Sequence, residues 1–231
     1  MGYLYFEDEI PRESVKIIFE LGSRDLYDAK ALTSFYTDSV CYSFECNPDC
    51  LDTCKKTLEN FTKDEKEKIF LIEKAVSINN GKITFRPFDL SKYNNKGASS
   101  IFEIDFSNRS KNDADYNRGS VQTIIEVDGI RLDTYMEDEK ISRIDLLCID
   151  LQGYELLALK SLGEKIKNVK YIITECSIQS TYKGGANFID LNTYLEECGF
   201  IYVKSNRWDF SFPDLNIKGF SEFDAFFKRK D

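Results

Sequence analysis

The sequence predicts an α/β fold, a doubly wound and mostly parallel sheet that is interrupted by an insertion. Strand-sized apolar runs alternate with helical segments through the first half of the chain. Acidic residues stand where several of these runs end, and a polar stretch at 77–123 breaks the alternation. An order of strand, helix, strand places successive strands in parallel through right-handed crossovers.

The first half contains three predicted strands with two helices between them. The strands are predicted at about 15–21, 40–45 and 69–76, and the helices at 26–35 and 47–61. The second helix has the clearest start, because Asn47 is a good N-cap and Pro48 suits the first helical position.

The polar stretch at 77–123 is the predicted insertion. Asn79-Asn80-Gly81 is a turn sequence, Lys82 to Phe88 alternates like an exposed strand, and 91–119 is rich in Asn, Asp and Ser. A long irregular stretch inside a compact domain is usually functional or mobile. We therefore expect a β-hairpin and a flexible cover over the site.

Regular elements are predicted again after this insertion, in one domain over 1–231 without repeats or linkers. The predicted strands are 123–127, 144–149, 171–174, 200–204 and 225–228, and the predicted helices are 132–139, 154–162 and one capped by Asp190 that ends at Cys198.

Composition narrows the function. The net charge of −9 argues against a nucleic-acid partner, because proteins that bind nucleic acids need a basic surface.

The longest apolar runs are strand-sized, which predicts no membrane span, and the acidic start lacks the features of a secretory signal. Seven cysteines without a CxxC pair predict a reducing compartment and a cytoplasmic location. With no histidine, any proton transfer must use another side chain or a metal-bound hydroxide.

The turn after the first strand and the end of the second strand predict a nucleoside site. Gly22 allows the backbone to approach a ligand, and Glu45 can accept both ribose hydroxyls. A dinucleotide pyrophosphate needs a Gly-rich turn, whereas this turn has one Gly between Glu20 and Asp25. Nearby carboxylates attract a cationic sulfonium, so the pattern favours S-adenosylmethionine. The alternative is that Glu45 is an ordinary surface residue.

Two further acids follow apolar strands in the second half. Asp150 follows the run 144–149, and Glu175 follows 171–174. Ligands of open α/β sheets bind outside the carboxyl ends of the strands, so the two acids are candidate neighbours in the site. The alternative is that each caps the helix after it.

Two patterns have a structural interpretation that we favour. Cys46, Cys50 and Cys54 are spaced for one helix face, but zinc would need a fourth ligand, so core packing is predicted. Trp208, Phe210 and Phe212 alternate with other residues near a strand; they could stack on a sugar, and packing against the sheet edge is favoured.

Six segments, in order along the chain, resemble the FkbM-type S-adenosylmethionine-dependent methyltransferases. They are FELGSRD at 19–25, FECNP at 44–48, KAVS at 74–77 with Asn80-Gly81, GASSI at 97–101, RLDTY at 131–135 and IDLLCIDLQGYE at 144–155. The family usually reads Lys-Ile-Asp-Val-Glu-Gly-Ala-Glu in the last segment. Here Cys148 stands in place of Lys, Gln152 in place of Glu, and Tyr154 in place of a small residue.

The resemblance implies a Rossmann-like, seven-stranded methyltransferase fold and O-methylation of sugar or polyketide hydroxyls. It implies that Glu20, Gly22 and Ser23 contact the amino-acid end of the cofactor, that Glu45 binds the ribose, and that Ala75 and Val76 lie near the adenine. Asp150 is implied at the methyl-transfer centre. The full set of cofactor-binding residues predicted is Glu20, Gly22, Ser23, Asp25, Glu45, Cys46, Ala75, Val76 and Asp150.

The resulting prediction is an enzyme that methylates a hydroxyl of a sugar or glycan, such as the deoxyhexose rhamnose. Asp150 is the candidate base, or the ligand of a divalent metal such as Mg²⁺ or Mn²⁺, and Glu175 is its metal partner or orients the acceptor. Gln152 weakens a three-carboxylate metal site, so no metal ligand is assigned. The predicted acceptor-binding residues are Ser99, Ser100, Gln152, Tyr182 and Lys183.

Two alternatives stay open at this point. The acceptor could be a non-sugar small molecule, or the chain could be an inactive module that keeps the nucleoside fold. The early first strand is also compatible with a domain of a larger glycan-modifying polypeptide.

Overall fold

A seven-stranded sheet forms the centre of the protein, in the order β3-β2-β1-β7-β8-β10-β9. The structure is a computed structural model and describes residues 2–92, 95–105, 121–208, 211–216 and 222–230. The strands of this sheet are β1 (Ile17–Leu21), β2 (Val40–Phe44), β3 (Ile69–Ile72), β7 (Ile144–Ile149), β8 (Val169–Ser177), β9 (Phe200–Ser205) and β10 (Glu222–Arg229). β10 is antiparallel to both of its neighbours and the other pairs are parallel, as predicted.

Helices connect the parallel strands and cover the sheet. They are α1 (Tyr27–Phe35), α2 (Pro48–Glu59), α3 (Lys63–Lys68), α4 (Leu132–Asp138), α5 (Glu155–Lys160) and α6 (Phe188–Glu197). α2 begins as predicted, with the Asn47 side chain accepting from the backbone N–H of Asp49 at 3.2 Å. In the part of the chain that the structure describes, no helix is long and apolar enough to cross a membrane.

Strand β7 shows why this sheet is stable. All six of its residues are buried, and from Leu146 to Ile149 successive side chains enter the two cores on opposite faces of the sheet. Leu147 and Ile149 pack on one face, whereas Leu146 and Cys148 pack on the other. A continuous apolar run is what a central parallel strand covered on both sides requires.

A second sheet of three strands lies at the predicted insertion and takes residues 81–85 from it. It has the order β4-β6-β5, with β4 (Ala75–Val76), β5 (Gly81–Phe85) and β6 (Ile125–Ile130). β5 and β6 are antiparallel, but β6 lies beyond residue 123 and residues 86–124 connect the two strands, so this pair is not the predicted hairpin. Residues 93–94 and 106–120 of the predicted cover lie outside the described residues. The single strand predicted at 69–76 is wrong: it divides into β3 and β4, because the chain turns at the exposed pair Glu73-Lys74 and changes sheets.

Two predicted boundaries in the second half are also wrong. β8 continues past Thr174, because the antiparallel β10 pairs Glu175 with Asp224, so Glu175 lies within the strand and does not end it. The cap of α6 is Asn187 rather than Asp190. Asp190 lies in the first turn, where its carboxylate accepts from the Asn187 N–H at 3.1 Å and its own N–H donates back to the Asn187 side chain.

Candidate active site

A cavity of about 310 Å³ opens at the carboxyl ends of β1, β2 and β7. The loops after these strands form its floor, β4 and β5 contribute one wall, and residues 95–101, which we call the cover segment, close part of the top. This is the edge of a doubly wound sheet at which ligands bind.

The turn after β1 is held by hydrogen bonds to the end of β2 and to the residue after β7. The backbone N–H groups of Gly22 and Ser23 both donate to the carbonyl oxygen of Phe44, at 3.0 and 3.1 Å, and the Asp150 N–H donates to the carbonyl of Leu21 at 2.9 Å. Gly22 has a φ of +90°, and a Cβ at this position would lie 1.9 Å from the backbone oxygen of Asp150. Only glycine fits this approach.

Unpaired polar atoms lie beneath this turn. Glu20 is 1% exposed and lies below the cavity, and neither its Oε2 nor the Oγ of Ser23 has a hydrogen-bond partner among the described residues. Burial raises the pKa of Glu20 to about 8, and the nearby hydroxyls of Ser43 and Ser23 oppose part of that rise. Buried acceptors without donors suit a ligand that brings donors, as the ammonium group of S-adenosylmethionine does.

Glu45 lies directly after β2 and is bound to its own loop. Its Oε2 accepts from the backbone N–H of Arg24 at 2.9 Å, and its Oε1 accepts from those of Cys46 and Asn47, both at 2.8 Å. A carboxylate has about four acceptor sites. One strong hydrogen bond can therefore be added at Oε2. The predicted binding of two ribose hydroxyls would require one of the three backbone N–H groups to give up its hydrogen bond to Glu45.

The wall near β4 is apolar. Ala75 and Val76 are buried and line the cavity with Phe85 and Phe44. A purine ring prefers an apolar wall of this kind, and the position of the adenine here stays a prediction.

The predicted row of cysteines is only partly correct. Cys50 and Cys54 lie on α2 and are buried, but Cys46 precedes the helix and lines the cavity. The helix begins at Pro48 because Asn47 caps it, so Cys46 cannot share its face.

Asp150 and Glu175 meet at the acidic end of the cavity. The Nε2 of Gln152 lies 2.7 Å from the Asp150 Oδ1 and 2.8 Å from the Glu175 Oε2. Burial raises the pKa of both acids. Repulsion by Asp150 raises that of Glu175 further, whereas hydrogen bonds from Gln152 and Glu175 and the charge of Arg24 favour an ionised Asp150. Glu175 is therefore the acid of the pair that is protonated more readily.

Glu155 is a third acid here that the sequence did not identify as a site residue. One oxygen of each of Asp150, Glu155 and Glu175 lies within 4.8 Å of the others. The Oε1 of Glu155 accepts from the N–H groups of Leu151 and Gly153, both at 3.0 Å, and burial raises its pKa to about 7. Glu155 thus stabilises the turn before α5, and we assign no metal to this group of acids.

The remaining predicted site residues divide between the cavity and its supports. Ser99 lines the cavity, and its Oγ accepts from the Asn47 side chain at 3.2 Å. Ser100 is buried and donates to the Gln152 carbonyl at 2.8 Å. Asp25 accepts from the Tyr27 N–H at 3.1 Å at the start of α1, and the exposed Lys183 pairs with Glu103.

Trp208 and Phe212, which could have stacked on a sugar, both pack against other aromatic rings, and Tyr182, which was predicted to bind the acceptor, is buried. Tyr182 is buried, and Trp208 packs edge-on against Phe223 with 4.8 Å between ring centroids. Phe212 is half exposed and packs on Phe188 at 5.2 Å. Phe210 lies outside the described residues.

Several cavity residues had no signal in the sequence. Tyr3 enters the cavity from the N-terminal 3-10 helix Tyr3–Glu9, and Arg24 and Lys96 lie at its rim. Asn47 was predicted only as a cap, yet its amide also donates to the Lys96 carbonyl at 3.1 Å and so holds the cover segment. These contacts join distant parts of the chain, which local patterns do not reveal.

Residues 22–202 match the family described as the methyltransferase FkbM domain. The chain belongs to the FkbM methyltransferase family. A curated relative, "2-O-methyltransferase NoeI" of Sinorhizobium fredii (strain NBRC 101917 / NGR234), is 26% identical over 170 residues. The match spans 73% of this chain and 66% of the relative, a little under two thirds of its length. The predicted family is confirmed.

Solved structures confirm the fold class. The match to the METTL16 methyltransferase domain spans 98% of this chain and 66% of the METTL16 chain, with a TM-score of 0.51 and 8% identity. The match to magnesium protoporphyrin IX methyltransferase (ChlM) from Synechocystis PCC 6803 spans 99% of this chain and 76% of the ChlM chain, with a TM-score of 0.50 and 8% identity. At such low identity these similarities show the fold alone.

Proposed function

We propose that this protein is an S-adenosylmethionine-dependent O-methyltransferase that acts on a hydroxyl of a sugar or glycan. One observation carries the proposal: the Gly22 turn, Glu45 and Asp150 converge on one cavity, in a chain of the FkbM methyltransferase family. The relative named as a 2-O-methyltransferase supports oxygen as the methylated atom.

The donor would lie along the loops after β1 and β2. Glu20 and Ser23 offer unpaired oxygens for its ammonium group, Glu45 has a free acceptor site for a ribose hydroxyl, and Ala75 and Val76 provide the apolar wall for its base. When bound, S-adenosylmethionine supplies an activated methyl group. The residues therefore need to position donor and acceptor, which can supply much of the rate.

Asp150 is the proposed base. It follows β7 at the cavity, hydrogen bonds and the charge of Arg24 oppose the rise that burial causes in its pKa, and the chain has no histidine to take its place. As the acceptor hydroxyl is methylated it must lose a proton, and the Asp150 carboxylate is placed to accept it. Glu175 keeps its own proton and stabilises the ionised Asp150 by hydrogen bonding.

A neutral polyhydroxylated acceptor fits the charges around the cavity. Five acids line the cavity beside three cations, and the whole chain carries a net charge of −9; the acids are Asp28, Glu45, Asp150, Glu175 and Glu222, and the cations are Arg24, Lys74 and Lys96. Such a surface repels polyanions, so we propose a saccharide rather than a nucleic acid. We also propose a cytoplasmic location, because all seven cysteines are free thiols.

The test is methyl transfer from labelled S-adenosylmethionine to a panel of neutral saccharides and phenolic alcohols. We expect the wild-type protein to label a saccharide, and Asp150→Asn to lower turnover by roughly 10²-fold while keeping the fold. The matched control is Asp128→Asn, an exposed aspartate paired with Lys82 on the second sheet, which should keep full activity.

Three other outcomes of these experiments would contradict parts of the proposal. Labelling of a phenolic alcohol but of no saccharide would refute the sugar and leave the O-methyltransferase. Binding of S-adenosylmethionine by calorimetry without labelling of any acceptor would indicate the inactive module. Binding of NAD instead would refute the nucleoside site as interpreted.

A further inference from the structure

Gln152 lies at the centre of the acidic end of the cavity. Its Nε2 contacts the carboxyl oxygens of Asp150 and Glu175, and its Oε1 lies 2.9 Å from the hydroxyl of Tyr182. Its backbone φ is +53°, a left-handed conformation, and its carbonyl accepts from the Ser100 hydroxyl. Both ends of the amide and the backbone are therefore held by neighbours.

This arrangement leaves Gln152 no donor for an acceptor molecule. An amide NH₂ has two protons, and the two carboxyl groups take both. Its oxygen faces Tyr182, which is buried and does not line the main cavity. The structure thus favours contacts of Gln152 and Tyr182 with other protein groups over contacts with a substrate.

The hydroxyl of Tyr182 lies between the amide oxygen of Gln152 and the cover segment. It lies 2.6 Å from the Ala98 carbonyl and 2.9 Å from the Gln152 Oε1, but a phenol has only one proton to donate. Both contacts become hydrogen bonds only if the amide turns over and presents its NH₂ to Tyr182. That orientation places the amide oxygen against Asp150, which only a protonated Asp150 tolerates.

Other charged groups also face the carboxyl pair. Glu155 at the start of α5 and Glu222 and Asp224 on β10 act on Glu175, while Arg24 and Asp28 from the first turn and α1 act on Asp150. Of these groups, only Arg24 is a cation. The Gln152 amide is the neutral donor that contacts both acids directly.

We propose that Gln152 is a positioning residue for the Asp150–Glu175 pair, and that Tyr182 orients the amide by donating its one proton to the amide oxygen. The inference rests on the proposed function, in which Asp150 accepts the proton of the acceptor. It replaces the expectation that these two residues bind the acceptor.

The test follows the titration of the Asp150 carboxyl by NMR in the full-length protein without an acceptor. Gln152→Asn suits the left-handed backbone, but the shorter side chain cannot reach both acids and Tyr182. Loss of a hydrogen bond to the ionised form raises a carboxyl pKa, so we expect its titration midpoint to rise by about one pH unit. Tyr182→Phe should raise it by less, because the amide remains but loses its orientation.

Tyr154→Phe is the matched control. Tyr154 also lines the cavity, but its hydroxyl accepts from the Ile78 N–H at 3.3 Å and its removal should leave the midpoint unchanged. An unchanged midpoint in Gln152→Asn would overturn the proposal, as would a higher acceptor KM with no change in the midpoint. An unchanged midpoint in Tyr182→Phe would overturn the role of Tyr182, and this variant decides the matter if Gln152→Asn does not fold.

The titration also separates this inference from the proposed function. A raised midpoint in a protein that methylates no acceptor would support the positioning role and refute the enzyme. Methyl transfer by the wild type together with an unchanged midpoint in both variants would refute the positioning role and leave the enzyme.

Discussion

Replacement of Gly22 by alanine tests whether the close approach of β1 and β7 builds the site. The new Cβ would lie 1.9 Å from the Asp150 backbone oxygen, a separation at which the two atoms overlap. One of the two segments must therefore retreat by about 1 Å, and a displacement of that size at a reacting group costs about 10²-fold in rate. Because Asp150 is the proposed base, turnover should fall by at least that factor.

The stability of Gly22→Ala should also fall, for two separable reasons. The φ of +90° disfavours any side chain by about 1–2 kcal/mol, and overpacking against Asp150 adds about 1–3 kcal/mol. Gly81→Ala isolates the first effect, since Gly81 has a φ of +98° and a Cβ there would meet no atom within 4 Å. Denaturant unfolding measures the free energy of unfolding that each variant loses, and the extra loss in Gly22→Ala is the cost of overpacking against Asp150.

Calorimetry with S-adenosylmethionine completes the comparison. We expect Gly22→Ala to bind the donor weakly and Gly81→Ala to bind it as the wild type does. If both variants lose the same free energy of unfolding and both retain donor affinity and turnover, the close approach at Gly22 does not organise the site and the reasoning is refuted.

Three further predictions concern the cofactor, the pH dependence of stability and the aromatic residues. Glu45→Ala removes the one free carboxylate acceptor for a ribose hydroxyl, so donor affinity measured by calorimetry should fall by about 1.5–3 kcal/mol; an unchanged affinity would contradict the ribose role. The pKa of Glu20 rises from 4.5 in an unfolded chain to about 8 in the fold, so the unfolded state loses its proton first. The free energy of unfolding should therefore decrease as pH rises between these values, and Glu20→Gln should flatten the decrease in denaturant titrations; an equal slope in both proteins would refute the assignment. Trp208→Ala removes a ring that packs on Phe223, which should lower the free energy of unfolding by about 2–4 kcal/mol and leave the acceptor KM unchanged; the reverse result would restore the sugar-stacking role.

Local patterns were sufficient where one segment carries its own signal. The run 144–149 was predicted with its observed bounds, because six consecutive buried residues suit a strand covered on both faces. The start of α2 was predicted from Asn47 and Pro48, because a cap and a first-turn proline act within a few residues. The alternation of strands and helices then determined the sheet, and with it the edge at which the cavity lies.

The tertiary structure alone decided the features that depend on partners far along the chain. Glu175 lies within β8 because Asp224 on the neighbouring strand β10 pairs with it. Residues 69–76 form two strands because Ala75 and Val76 pair with β6 in the second sheet. Gln152 contacts Tyr182 only because the turn after β7 and the loop after β8 meet beneath the cover segment. Periodicity and capping report the neighbours of a residue along the chain, whereas hydrogen bonds and burial at a site depend on which distant segments the fold brings together.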